Sequence, residues 1–179
     1  MSTQTETPAL ASLEYQPYLT KEGCINEDVA GKIGVYGIFD RDRTMVYVGY
    51  SRDVYLSLKQ HLIRQPQHCH WLKIQTIDRP SRTILAEIAS AWIAANGATP
   101  VGNDTEESLW TEAIDANPAM TEEEKAQYQQ SEESKQIKIR KQVARRVEAQ
   151  ILKQLSDRGV VMEIRFNPKL KEKGLLDLK

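Results

Sequence analysis

Two short apolar runs, Ile33–Phe39 and 45–48, stand on either side of the polar stretch Asp40-Arg41-Asp42-Arg43. β-formers on both sides of a four-residue polar turn predict a β-hairpin. A four-residue loop would set Tyr36 opposite Tyr47 and Ile38 opposite Met45, with Val35 facing Val48 on the other side of the ribbon. In that register both tyrosines share one face, with cross-strand Cβ atoms about 5 Å apart.

Beyond the hairpin the chain carries its own punctuation. Ser51 and Asp53 are helix-start residues, and Val54, Tyr55, Leu58, His61 and Leu62 keep helical spacing to about Arg64. Pro66 stops that helix. Trp71–Ile77 reads as a third strand. Pro80-Ser81 opens a second helix with Ile84, Leu85, Ile88, Trp92 and Ile93 as its buried stripe, and Gly97 is its stop. The fold class expected is α+β, a three-stranded antiparallel sheet flanked by helices over residues 31–104. Residues 1–30, polar and broken by Pro8 and Pro17, read as an irregular lead-in, pinned by Leu10, Leu13, Tyr15, Tyr18 and Leu19.

Residues 105–179 form an extension. Its first part is acidic, with one lysine, Lys125, among ten carboxylates in 104–133. Residues 134–157 predict a long helix in which Ile139, Val143, Val147 and Ile151 make an apolar stripe and Lys138, Lys141 and Arg145 are among the cations on the other faces. Strict alternation over 160–166 predicts a final strand.

Composition narrows the function classes. A chain of 179 residues with 40% hydrophobic and 27% charged content fits a globular domain plus an appendage. No apolar run approaches the roughly 20 residues of a membrane span, and the start lacks the basic and apolar regions of a secretory signal. Glu6, Glu14, Glu22 and Glu27 argue against a transit peptide. Two cysteines, Cys24 and Cys69, make no disulfide framework, so the expected compartment is the cytoplasm. A net charge of −1 counts against constitutive tight DNA binding. His68-Cys69-His70 reads as a loop with incidental histidines, because adjacent side chains point alternately and no second ligand cluster exists.

Gly34-Val35-Tyr36, ten residues, then Tyr47-Val48-Gly49 resembles the signature of the GIY-YIG nuclease superfamily. The turn Tyr50-Ser51-Arg52-Asp53 after the second glycine, His61 late in the first helix, and the closing Pro100-Val101-Gly102-Asn103 match the same pattern. The resemblance implies metal-dependent hydrolysis of DNA phosphodiesters, with Tyr36 and Tyr47 handling water and Glu87 holding one Mg2+ or Mn2+. It gives His61 a catalytic place and Arg52 the phosphate. Contacts to nucleic acid are expected from Arg52, Arg64, Asn103, Lys138, Lys141 and Arg145. The position of that family's helical arginine falls on Ser57, leaving Arg52 or Arg64 as substitutes. Counting back from Asn103 puts Ala91 at the metal position; counting forward from the strand gives Glu87, preferred because the extra residues fit a longer helix end.

Val48-Gly49-Tyr50-Ser51-Arg52 and the Pro-x-Gly-Asn close look most like the GIY-YIG-like domain fused to plant plastid monothiol glutaredoxins, which implies a cyanobacterial or plastid lineage. No Cys-Gly-Phe-Ser redox motif is present, and the two distant cysteines give little to a redox or iron–sulfur accessory role. The alternative to an enzyme is a degenerate domain that binds nucleic acid, or a protein partner through the 134–157 helix.

Overall fold

The computed structural model describes residues 9–179; the polar start of the lead-in, with Glu6 and Pro8, lies outside the described residues. The chain divides into two compact units, one through Trp110 and one from Thr111 to Lys179.

The first unit is α+β. It contains β1 (Gln16–Pro17), β2 (Ile33–Phe39), β3 (Met45–Ser51), α1 (Val54–Arg64), β4 (Trp71–Ile77) and α2 (Arg82–Asn96), with the short α3 (Glu107–Thr111) at its end. The sheet is antiparallel, in the order β1-β4-β2-β3. It therefore has four strands rather than the expected three. Gln16 and Pro17 pair with Leu72 and Trp71 at the edge of β4. The lead-in is also tied down more firmly than its polarity suggested: Tyr18 and Ile25 are buried, and the Tyr18 hydroxyl donates to the Leu58 carbonyl of α1.

The hairpin register departs from expectation. Tyr36 pairs with Gly49, Ile38 with Tyr47, Val35 with Tyr50 and Gly37 with Val48. The shift arises at the turn. Asp40 Oδ1 accepts from the backbone N–H groups of Asp42 and Thr44, and Arg43 takes φ of 62°. The loop is thus longer than four residues, and Val46 is left without a partner between the Phe39–Met45 and Ile38–Tyr47 pairs, a bulge. The two tyrosines still share a face, offset diagonally.

The helices begin and end where their caps dictate. Asp53 accepts from the Leu56 N–H, Ser81 accepts from the Ile84 N–H, and Gly97 closes α2 at φ of 81°. α2 lays Leu85, Ile88, Ala89 and Trp92 on one face of the sheet against Val35, Phe39, Met45 and Val48. Those positions follow the 3.6-residue period, so one stripe is removed from water. At roughly 1.5–3 kcal/mol per buried large side chain, this layer contributes substantially to the unit's stability. α1 covers the opposite face, where Leu58, Leu62 and His61 are buried.

The second unit contains β5 (Ile114–Asp115), α4 (Glu122–Gln130), α5 (Glu133–Asp157), α6 (Pro168–Lys171) and β6 (Leu175–Leu176). Thr121 and Glu124 form a reciprocal capping box at the start of α4. Glu124 then meets Arg146 of α5 at 2.7 Å, which holds its carboxyl down at about 2. Arg140 lies over the Tyr128 ring. Acidic segment and basic helix therefore pack on each other, and α5 buries Val143, Ala144, Ile151 and Leu155. The expected strand at 160–166 does not form. Alternation makes a residue run suitable for a strand, but pairing needs an edge, and among the described residues of that run only Phe166 bridges, to Leu178. Among the described residues no helix is long and apolar enough to cross a membrane.

Candidate functional site

The constellation expected from the sequence is divided between two places in the first unit. The first is a sealed aromatic cluster. Alternation along β2 sends Val35 towards α2 and Tyr36 towards α1. There the Tyr36 hydroxyl meets His61 Nε2 at 2.8 Å, and both residues are buried. Tyr47, diagonal from Tyr36, lies 4.6 Å centroid to centroid from His61 and stacks parallel on Trp110 at 5.4 Å. Gly49 is what allows this packing: a Cβ there would come within 2.7 Å of the Tyr36 hydroxyl oxygen and of Tyr47.

The electrostatics of the cluster are those of a neutral site. Burial, and next the neighbouring Tyr47, push the Tyr36 phenol far above its usual range, against the smaller opposing pulls of Ser57 and Arg64. Burial first and Arg64 second press the His61 imidazole down to about 3, with the Trp110 backbone opposing. Tyr47 is raised by burial and by Glu107. The phenol and the neutral imidazole share one proton between the hydroxyl and Nε2, so the pair is bonded without a charge on either partner. Nothing in this pair is poised to take a proton at neutral pH, since a working base needs a pKa near the operating pH. Ser57, where the resemblance expects an arginine, instead donates to Ser51 Oγ at 2.7 Å.

Two other expected nucleic-acid contacts are internal. The Asn103 side chain clasps the backbone of Val48, accepting from its N–H at 2.8 Å and donating to its carbonyl at 2.7 Å. Gly102, beside it, packs so closely that a Cβ would lie 2.5 Å from the Val46 carbonyl oxygen. Arg64 Nη1 donates to the Trp110 carbonyl at 2.9 Å.

The second place is open. Glu87, exposed on α2, lines a hollow of about 600 Å3 with Tyr50, Arg82, Thr83, Ala86 and Ser90. Arg52 lines a neighbouring hollow of about 440 Å3, shared by Ile33, Tyr50, Ser51, Pro80, Ser81, Arg82 and Leu85. Tyr50 and Arg82 border both, so the two hollows form one groove along the end of β3 and the start of α2. Neither Tyr36 nor Tyr47 lines it. Sequence reasoning found Arg52 and Glu87 but missed Tyr50 and Arg82. A signal for Arg82 existed: it follows the Ser81 cap, at the positive end of a helix dipole, where a cation is out of place by roughly 0.3–1 kcal/mol. Arg52 sits likewise just before the Asp53 cap of α1.

In the second unit, the sequence-proposed cations are sorted by their partners. Lys141 pairs with Glu172 at 3.5 Å, while Lys138 and Arg145 are exposed.

No protein-family model matches the chain. Over 81 residues the sequence is 27% identical to the bifunctional monothiol glutaredoxin-S16, chloroplastic, of Arabidopsis thaliana. The matched stretch is 43% of this chain and 28% of that protein, so the chain spans well under half the length of its relative.

Proposed function

We propose that the first unit is a GIY-YIG-like endonuclease that uses a divalent metal to hydrolyse DNA phosphodiesters, and that it works in the open groove rather than at the sealed tyrosines. One observation carries this: the carboxylate Glu87 and two arginines, Arg52 and Arg82, border hollows that meet at Tyr50 and Arg82. Two cations held at the positive ends of two helices oppose the local dipoles, and an anion between them would turn that cost into attraction. Rule-breaking of this kind concentrates where a protein does its work.

The donor set suits Mg2+ or Mn2+ only in a particular way. Among the described residues no three His, Cys, Asp or Glu side chains gather into a ready-made cage. Magnesium does not need one: it keeps several waters and is held by one or two carboxylates together with substrate phosphate. Glu87 is the residue that would hold it. When bound, such an ion supplies Lewis acidity at the phosphate and water of lowered pKa. The chain's own contribution is then to dock the phosphate by its oxygens on Arg52 and Arg82, whose planar guanidinium groups suit it. Tyr36, Tyr47 and His61 brace the hairpin that carries Tyr50 and Arg52.

The test is cleavage of branched and plasmid DNA with Mn2+, wild type beside Glu87→Ala. Cleavage that disappears in the variant supports the enzyme; two equally inert proteins end it. The second reading is a degenerate domain that binds without cutting. Ser57 favours it, since a hydroxyl bonded to Ser51 supplies no fixed charge near the phenols. An inert wild type that retains DNA binding, or that captures a protein through α5, would support that alternative.

A further inference from the structure

We infer that the smaller hollow is a slot for an unpaired nucleobase, so that the groove takes single-stranded or flipped-out nucleotides in preference to intact duplex. The inference rests on the groove being where DNA is handled.

The hollow of about 440 Å3 has a divided lining: Ile33, Pro80, Leu85 and the Tyr50 ring are apolar, Ser51 and Ser81 are polar, and Arg52 and Arg82 are charged. Apolar and polar walls in near-equal parts suit a flat ring rimmed with heteroatoms, and the volume lies in the usual small-ligand range of about 300–1,000 Å3. Tyr50 is 38% exposed although it belongs to a strand whose other members from Met45 to Gly49 are all buried. An accessible phenol ring beside two guanidinium groups matches the two needs of a nucleotide, a flat face for the base and cations for the phosphate. In duplex DNA both faces of each base are covered by its neighbours, so a base can meet Tyr50 only when it has left the stack. Base–aromatic stacking tolerates any base, because every base has a π-face. The slot therefore selects strand state rather than sequence.

Equilibrium binding of a fluorescein-labelled oligothymidylate to the full chain, in chelator and low salt, tests this. Tyr50→Ala is expected to weaken binding about tenfold, Tyr50→Phe to restore it to within about twofold, and the same strand annealed to its complement to bind about tenfold more weakly. Arg52→Gln with Arg82→Gln should also flatten the salt dependence, because fewer phosphates are neutralised. Equal affinity for single strand and duplex, or Tyr50→Ala indistinguishable from wild type, would overturn the slot. So would displacement of the strand by equimolar thymidine monophosphate, which would make it a site for free nucleotides, or failure to bind any strand. Because no metal is present in this assay, a protein unable to cut DNA still passes it, and loss of the enzyme reading is seen separately in the cleavage comparison with Glu87→Ala.

Discussion

The first unit carries tyrosines in two settings, and the contrast between them shows what burial does to a titratable group. Tyr36 and Tyr47 sit against α1 with His61 and Trp110, out of water, where the Tyr36 hydroxyl bonds His61 Nε2 and burial keeps both phenols neutral. Tyr50, at the end of the same strand as Tyr47, opens onto a groove whose arginines and glutamate keep their charges in contact with solvent. Burial converts titratable groups into neutral framework, because desolvation disfavours the charged form. Exposure leaves them able to meet a phosphate. A motif recognised by its tyrosines can therefore mark the brace of a site while the reactive groups lie beside it.

The sharpest way to break that contrast is Glu87→Ala. Cleavage should fall by about a hundredfold or more, the scale of losing one electrostatic contact to the reacting group. Thermal stability should stay within about 0.5 kcal/mol of wild type, as for other surface changes. A variant that cuts normally would return the chemistry to the tyrosines. Next in size is His61→Ala, which removes a buried ring and strands the Tyr36 hydroxyl; a loss of about 3 kcal/mol in denaturant unfolding is expected. If stability is unchanged while cleavage is abolished, the cluster is chemical rather than structural.

The cluster should also show itself in acid. His61 is neutral in the folded state down to about pH 3, whereas in the unfolded chain it protonates near its ordinary 6.5. Between those values the unfolded state binds the extra proton, so stability falls as pH is lowered from about 6.5 towards 3. The slope from this group approaches about 1.4 kcal/mol per pH unit. Unfolding free energies measured across that window for wild type and His61→Phe should diverge in slope; parallel lines would show that the imidazole is not shielded. The smallest effect is expected from Ser57→Ala. It removes one hydroxyl contact to Ser51 and should cost about 1 kcal/mol or less, with cleavage intact. A large loss of cleavage there would mean that the serine has taken over part of an arginine's work.

Local chemistry made much of this fold readable. Ile33–Phe39 and Trp71–Ile77 form strands over the full runs expected, and Asp53, Ser81 and Gly97 cap helices as their residue types predict. Each of those features is decided by neighbours within four residues. What was not readable turned on contacts that residue type alone does not announce, some local and some far along the chain. The hairpin register turned on one side chain, Asp40, bonding inside its own turn and on Val46 bulging out. The alternating run at 160–166 lacked an edge to pair with, apart from Phe166. The position of Glu87 was foreseen as a helix residue, but spacing does not say which side of the sheet that helix covers. α2 packs on the Val35 face, and the tyrosines occupy the other.

The Asn103 clasp has a consequence for the molecule's behaviour in company. β3 is an outer strand, and the Val48 N–H and carbonyl turned away from β2 would otherwise be an invitation to a fifth strand from another copy. A single carboxamide imitates the missing peptide at that point and blocks growth of the sheet there. Colloidal behaviour at high concentration is thus guarded by a residue whose motif position suggested a role with DNA.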